Sequence, residues 1–177
     1  MRFNSLTDLE KYRESLSDSK RDMLDIRVCA GPGCLARGSA RIARKFEEEI
    51  ERRGVDAKVS LQIKQTGCHG LCECGPMVTF ERPLRGNGHS HPLEGTMYSH
   101  ITEKHVPDIV EKTVINGELI PELYYSCGDD SFRPQKYMDI PFYSRQTRIA
   151  LLKVGQVDPN SIDSYFAAGG FKALAKA

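Results

Sequence analysis

The stretch QTGCHGLCECGPMV, residues 65–78, decides how this chain is read. It sets Cys68, Cys72 and Cys74 among Gly67, Gly70 and Gly75, directly after a run of alternating apolar residues. A partner stretch lies upstream: VCAGPGCLARG, residues 28–38, with Cys29 and Cys34 around Gly31 and Gly33. Each pair therefore sits in a glycine-rich loop at the end of a strand-like run. Four thiolates converging on a small volume are what an anionic iron–sulfur cluster needs. Glycines let a loop wrap closely and turn its backbone N–H groups toward sulfur. A four-cysteine zinc site uses the same ligand count, with knuckles usually of the tighter C-x2-C kind. A thioredoxin-type dithiol needs C-x-x-C, and neither pair has that spacing.

Composition narrows the context. Across 177 residues, 25 Lys and Arg face 24 Asp and Glu, so no basic surface for non-specific nucleic-acid binding is expected. No run reaches the ~20 apolar residues of a transmembrane helix. The opening MRFNSLTDLEKYRESLSDSKR is polar and has no secretory h-region. The expected setting is a reducing cytoplasm, where clustered cysteines serve metal or redox chemistry more often than structural disulfides.

The elements follow from periodicity. Residues 1–24 read as a peripheral helix, with Ser5 as its cap and Leu6, Leu9, Tyr12 and Leu16 along one face. Ile26 and Val28 alternate with polar neighbours and predict a strand ending at Cys29. Ser39 is expected to cap a helix carrying Ile42, Ala43, Phe46 and Ile50, with Gly54 closing it. Its Glu48/Arg52 and Glu49/Arg53 pairs read as a solvated face. Val55, Ala57, Val59, Leu61 and Ile63 predict a second strand, Met77–Phe80 a third and Thr96–Ile101 a fourth. Arg82–Gly95 reads as an excursion. Pro107 opens a last helix carrying Ile109, Val110 and Val114, ended by Asn116-Gly117. The order β-α-β-β-β-α predicts an α/β, thioredoxin-like layer over residues 25–125, with both cysteine pairs at one end of its sheet. Residues 126–141, punctuated by Pro134 and Pro141, read as a linker. Residues 142–177 carry an apolar run, Ile149–Leu152, and a capped helix start at Asp158-Pro159, and are too short for a core of their own.

In order and spacing, VCAGPGCLARG, QTGCHGLCECGPMV and MYSHITEKHVPDIVEK resemble the thioredoxin-like 2Fe–2S ferredoxin domain. More narrowly, they resemble the form at the front of the NADH-binding flavoprotein subunit of complex I-related NADH dehydrogenases and electron-bifurcating hydrogenases. The tail FYSRQTRIALLKVGQVDPNSIDSYFAAGGFKALAKA is similar to the first segment of that flavoprotein, here truncated. The resemblance implies a 2Fe–2S cluster on Cys29, Cys34, Cys68 and Cys72 and a role in one-electron transfer rather than bond-making. It implies FMN, NAD and a 4Fe–4S cluster only in the remainder of such a subunit. The implied partners are other subunits of a multi-subunit oxidoreductase, a small 2Fe–2S subunit among them. The excursion Arg82–Gly95 is longer than the family pattern leads one to expect.

The other candidate groups read as bystanders. Cys74 stands two residues past Cys72 and is placed beside the cluster rather than on it; Cys127 falls in the linker. His89, His91 and His100 read as loop histidines, and His105 has no evident partner. His69, between two of the implied ligands, reads as a neighbour able to make the potential pH-dependent. The rival from another functional class is a zinc-stapled module that docks a neighbouring subunit and carries no electron.

Overall fold

The computed structural model describes residues 3, 5–18, 24–55, 61–81, 92–126 and 131–176. Its centre is a mixed four-stranded sheet of β1 (Leu24–Cys29), β2 (Leu61–Thr66), β3 (Val78–Glu81) and β4 (Met97–Tyr98), in the order β2-β1-β3-β4. β1 runs parallel to β2 and antiparallel to β3, and β3 runs antiparallel to β4. This is the predicted α/β thioredoxin-like arrangement. The parallel pair needs a helical crossover, supplied by α2 (Pro32–Ala36) and α3 (Ser39–Arg53). A later helix, α4, spans Val106–Asp108 and widens into a π-helical stretch, Ile109–Ile115.

Both faces of β1 are buried. On one face Ile26 and Val28, with Val78, Phe80 and Tyr98, pack against Ile42, Ala43, Phe46 and Ile50 of α3 and Val106, Ile109 and Val110 of the last helix. Period two puts Asp25, Arg27 and Cys29 on the other face. There Arg27 donates to Asp25 at 3.0 Å, both side chains being out of water. The polar neighbours in the alternation are thus a buried ion pair, not a wet face.

Several boundaries differ from the sequence reading. Gly38, not Ser39, precedes α3, at a φ of 90° that a side chain would strain, while Ser39 is buried inside the first turn. The expected Glu49/Arg53 pair forms, but Glu49 is buried and also receives Arg52, while Glu48 pairs with Lys45 instead of Arg52. The second strand is described over Leu61–Thr66; Val55 is buried just past α3, and residues 56–60, with Ala57 and Val59 of the expected strand, lie outside the described residues. Gly54 closes α3 at a φ of 60°, as expected.

The described part of the expected linker packs onto the sheet. Met97 N–H donates to the Gln135 carbonyl and Tyr137 N–H to that of Gly95, each at 3.0 Å, and Thr96 bridges to Lys136. Ile140 and Tyr143 are buried against Cys29, Cys34, Met77 and Met97. The reason is the apolar surface that β1, β3 and β4 would otherwise leave bare on this side. Beyond α5 (Pro141–Ser144) the chain folds back to α6 (Ile162–Ala167) and α7 (Lys172–Lys176). Ser161 caps α6, its Oγ accepting from Ser164 N–H at 3.1 Å, so the helix starts later than Asp158-Pro159. The first helix, α1 (Leu6–Asp18), is capped by Ser5 as expected. It packs on α6: Arg13 donates to the carbonyls of Phe166 and Gly170, and Tyr12 donates to Asp163 at 2.6 Å. The two ends of the chain share the apolar surface neither could bury alone.

Candidate functional site: a four-thiol loop pair

Cys29 is the last residue of β1, and Cys68 stands two residues past the end of β2. Because the strands are parallel, with Cys29 opposite Thr66, both loops leave the same end of the sheet. Ala30 N–H donates to the Thr66 carbonyl at 2.8 Å and keeps the loops together where they start. Cys34 lies in α2, and Cys72 opens a single 3-10 turn, Cys72–Cys74.

The structure brings the four predicted cysteines to the same end of the sheet, on two loops that touch. Cys68 and Cys72 sulfurs are 3.7 Å apart. Gly31, two residues past Cys29, lies against Cys68, and Gly33, beside Cys34, lies against Cys72; Cys29 and Cys34 influence each other's ionisation. Two thiolates on one tetrahedral metal, with bonds of about 2.3 Å, would stand about 3.8 Å apart, which the Cys68–Cys72 separation matches. Among the described residues no three Cys, His, Asp or Glu side chains close around one point.

Two glycines make the close approach of the loops possible. A Cβ on Gly31 would lie 2.8 Å from Cys68 Cβ and 3.0 Å from its sulfur. One on Gly75 would lie 2.6 Å from the Cys34 sulfur. Gly70 N–H reaches Cys68 Sγ at 3.3 Å, and the Gly31 and His69 amides favour the thiolate at Cys29. Thiolate at Cys29 is favoured by the Cys34 hydrogen bond and then, against burial, by those amides, and its pKa falls to about 6. Cys34, holding the proton of that bond and itself buried, is pushed up. The pair thus loses its first proton readily and its second with difficulty, as coupled groups do. Burial raises Cys68, the Gly70 amide opposing it.

The four thiols differ in exposure. Cys29 and Cys34 are buried, Cys68 is partly exposed and Cys72 is exposed. Cys74 is buried in the same turn; its N–H donates to the Leu71 carbonyl, and its carbonyl accepts from His100 N–H. Cys127, His89 and His91 lie outside the described residues. His100 is exposed, its ring near the Ser126 carbonyl. His105 does have a partner: its Nδ1 accepts from Thr102 N–H at 3.2 Å, closing a capping box.

His69 is not at a wet rim. Its side chain is 5 % exposed, and burial, then the charges of Arg27 and Arg148, press its pKa down to about 4. It is held neutral across the range in which it was expected to titrate. What buries it is a set of residues that sequence reasoning missed. Tyr143 donates its hydroxyl to the His69 carbonyl at 2.5 Å. Tyr137 presents its ring edge to the His69 ring at 6.2 Å. Gly155 lies against the same ring, and its carbonyl accepts from Arg27 at 3.4 Å. Between this strap and the loop a cavity of about 180 Å³ remains, lined by His69, Tyr137, Tyr143, Arg148 and Leu152. The available signal was aromatic: Tyr137, Phe142 and Tyr143 in one short span are too costly to leave bare in a solvated linker.

A model of the thioredoxin-like [2Fe–2S] ferredoxin family matches residues 8–113. The chain belongs to that family. It is similar to a 2Fe–2S ferredoxin of Clostridium pasteurianum, with 32 % identity over 90 residues, 51 % of this chain and 76 % of that protein. It is also similar to a thioredoxin-like [2Fe–2S] ferredoxin from Aquifex aeolicus, at 26 % identity and a TM-score of 0.48, covering 61 % of this chain and 94 % of that one. A second structure of the Aquifex ferredoxin, at 1.5 Å, gives 25 % identity and a TM-score of 0.47 over 60 % of this chain and 99 % of that one. Family membership brings a 2Fe–2S cluster and electron transfer as the chemistry of the site. The residues present fit that group: four thiols, amides aimed at sulfur, and glycines where a Cβ would close the cradle. Among the described residues no helix is long and apolar enough to cross a membrane.

Proposed function

We propose that Cys29, Cys34, Cys68 and Cys72 hold the cluster, and that the chain carries single electrons as the front domain of an NADH-oxidising or NAD-reducing flavoprotein subunit in a multi-subunit oxidoreductase. The observation that carries the ligand assignment is the close approach of the two cysteine loops at one end of the sheet, Gly31 against Cys68, Gly33 against Cys72 and Gly75 against Cys34. When bound, the cluster supplies a centre that gains and loses one electron at a time. The chain's own residues do the rest. The amides of Gly31, His69 and Gly70 offset negative charge on the sulfurs. The strap from Tyr137 to Gly155 keeps water from the buried side, and Cys72 gives the one well-exposed edge among the four thiols. Tail residues 142–177 support the flavoprotein part of the reading through their resemblance to the opening of such a subunit. Other subunits, a small 2Fe–2S subunit among them, would complete the assembly.

The test is iron, sulfide and zinc analysis of anaerobically purified protein, followed by EPR after dithionite. Two irons and two sulfides per chain with a rhombic or axial signal is the expected result. A folded, colourless, zinc-replete protein would establish the zinc-stapled module instead. For the flavoprotein role, NADH should reduce the cluster only when an FMN-containing NADH-oxidising subunit is added. No reduction with that subunit present refutes it.

A further inference from the structure

We propose that Arg27 raises the reduction potential of the cluster: its buried guanidinium favours the state with the extra electron, and Asp25, on the far side of it, holds the cation in place. This rests on the electron-carrying reading above and names a residue that tunes the site without being a ligand.

Register places the charges in order along the sheet. Asp25 stands opposite Glu81 and Arg27 opposite Thr79, while Cys29 N–H donates to the Met77 carbonyl. Each step of two residues, about 7 Å of strand, therefore moves one pair nearer the cysteine loops. Asp25 and Glu81 occupy the far pair, and Arg27 the pair next to Cys29, on the same face of β1 as Cys29. The guanidinium has a hold on either side. Its Nη2 donates to Asp25 Oδ2 at 3.0 Å, and its Nη1 to the Gly155 carbonyl at 3.4 Å. Gly155 in turn lies against the His69 ring, where an added Cβ would fall 2.7 Å from Cε1. His69 directly follows Cys68. The ion pair thus runs along the strand with its positive end toward the thiols.

Stability alone gives little reason to keep this pair. The Arg27 side chain is 2 % exposed and that of Asp25 0 %. Taking two ions out of water costs about as much as their attraction returns, and well-packed uncharged residues of similar volume are often as stable. An electrostatic use accounts for them better. Reduction adds one negative charge to the cluster, and a fixed cation in a dry, low-dielectric setting favours that state. For unit charges about 10 Å apart at an effective dielectric of about 20, the effect on the reduced-to-oxidised ratio at a fixed potential is about tenfold or more. Asp25 stands one pair further off and cancels only part of it.

The experiment is a dye-mediated redox titration of the cluster-loaded protein, read by visible absorption and by EPR of the reduced form. Arg27→Gln should lower the reduced-to-oxidised ratio at a fixed potential by about tenfold, a midpoint about 59 mV lower for one electron. Asp25→Asn should raise the midpoint, because the cation is then unopposed. Arg27→Gln combined with Asp25→Asn removes both charges with amides of similar volume that can still bond each other. It should lower the same ratio by less, about threefold, since the nearer charge outweighs the farther one. Arg27→Lys keeps the cation and should leave the ratio within about twofold of the unsubstituted protein. A pair that only packs would, when disturbed from either side, move the midpoint one way or not at all. Shifts of the same sign in the two single variants, or an unmoved midpoint in the combined variant, overturn the proposal. If a single variant fails to fold, the combined variant decides. Loss of the fold in the combined variant, read by circular dichroism, also overturns the proposal, because the pair would then be kept for packing. The unsubstituted protein separates the two readings. If it shows no one-electron couple down to the potential of dithionite, the electron-carrying reading falls. If the couple is present and the variants titrate with the same midpoint, only the role of Arg27 falls.

Discussion

Gly31→Ala tests whether the two cysteine loops are held at the separation a cluster requires. Gly31 has φ −63° and ψ 154°, which alanine adopts without strain, so the backbone contributes no penalty. Any effect must come from the added carbon. It would sit 2.8 Å from Cys68 Cβ, 3.0 Å from its sulfur and 3.2 Å from its Cα. The first and last of these are parts of the chain that no rotamer change can move. Cys68 is tied back by the Ala30–Thr66 hydrogen bond at 2.8 Å and by the Gly70 amide. Relief therefore requires the loops to part by several tenths of an ångström. Overpacking of this kind costs about 1–3 kcal/mol. Alanine returns about 0.4–1 kcal/mol by restricting the unfolded chain. The net expectation is a loss of about 0–2.6 kcal/mol with a midpoint near 1.3, or about tenfold and at most about eightyfold in the folded-to-unfolded ratio. Gly67→Ala is the control: its Cβ would meet only Val154 Cγ1 at 3.4 Å and Gly155 N at 3.9 Å, so stability should stay within about 0.5 kcal/mol of the unsubstituted protein. Urea unfolding followed by circular dichroism reads stability, and the visible spectrum reads the cluster. Gly31→Ala should lower the urea midpoint and bleach or shift the chromophore. If it matches the unsubstituted protein in both, or if Gly67→Ala does equal harm, close approach of the loops is not what shapes the site.

The remaining expectations are more direct. Cys29→Ser, Cys34→Ser, Cys68→Ser and Cys72→Ser should each lose or strongly alter the cluster spectrum, while Cys74→Ser and Cys127→Ser leave it nearly unchanged; loss in Cys74→Ser with retention in Cys72→Ser would reverse the ligand assignment. Tyr143→Phe removes the hydroxyl bonded to the His69 carbonyl and should cost about 1 kcal/mol in urea unfolding. It should also speed trypsin cleavage at Arg145 and Arg148, and equal cleavage rates would show that this bond does not hold the strap. Glu49, bonded by Arg52 and Arg53, has its pKa lowered to about 2. A lowered carboxylate pKa adds stability that is complete above the unfolded value near 4.5 and fades as pH falls from there toward 2. Arg52 is 66 % exposed, so solvent screens the pair and Glu49→Gln should cost only about 1 kcal/mol at pH 7. The gap in urea midpoint between the two proteins should narrow by pH 4, and a constant gap would rule out this charge as its origin.

The parts of the fold that the sequence announced are those whose burial is one-sided. Ile42, Ala43, Phe46 and Ile50 repeat at helical spacing because α3 has one dry face and one wet face. The cysteine loops were legible for a related reason: ligand spacing and glycine content are local constraints, and the strand that precedes each loop places both at one end of the sheet. β1 was legible as a strand but not as a fully buried one. Asp25 and Arg27 look like a solvent face, and only their mutual ion pair in the folded chain allows them inside. The Glu49/Arg53 pair was legible, but the burial of Glu49 and its second partner Arg52 were not. An i,i+4 rule names possible partners on a helix without saying which carboxylate the neighbouring elements will cover.

The strap shows the other limit. Its prolines and lack of periodicity are true local signals of irregular backbone, and the structure keeps that backbone irregular. What they do not encode is the surface waiting for it: Cys29, Met77 and Met97 on the second face of the sheet need cover, and no regular element supplies it. Tyr137, Ile140 and Tyr143 do, at positions set by hydrogen bonds to the Gly95, Thr96 and Met97 edge rather than by any repeat. This arrangement bears on function because it is lopsided. Covering one side of the cysteine loops from within leaves Cys72 as the open side. The same strap that withdraws His69 from water turns Ile149 and Leu151 outward. With one flank of the cysteine loops covered and Cys72 left open, the packing itself sets the edge at which an electron is most readily exchanged.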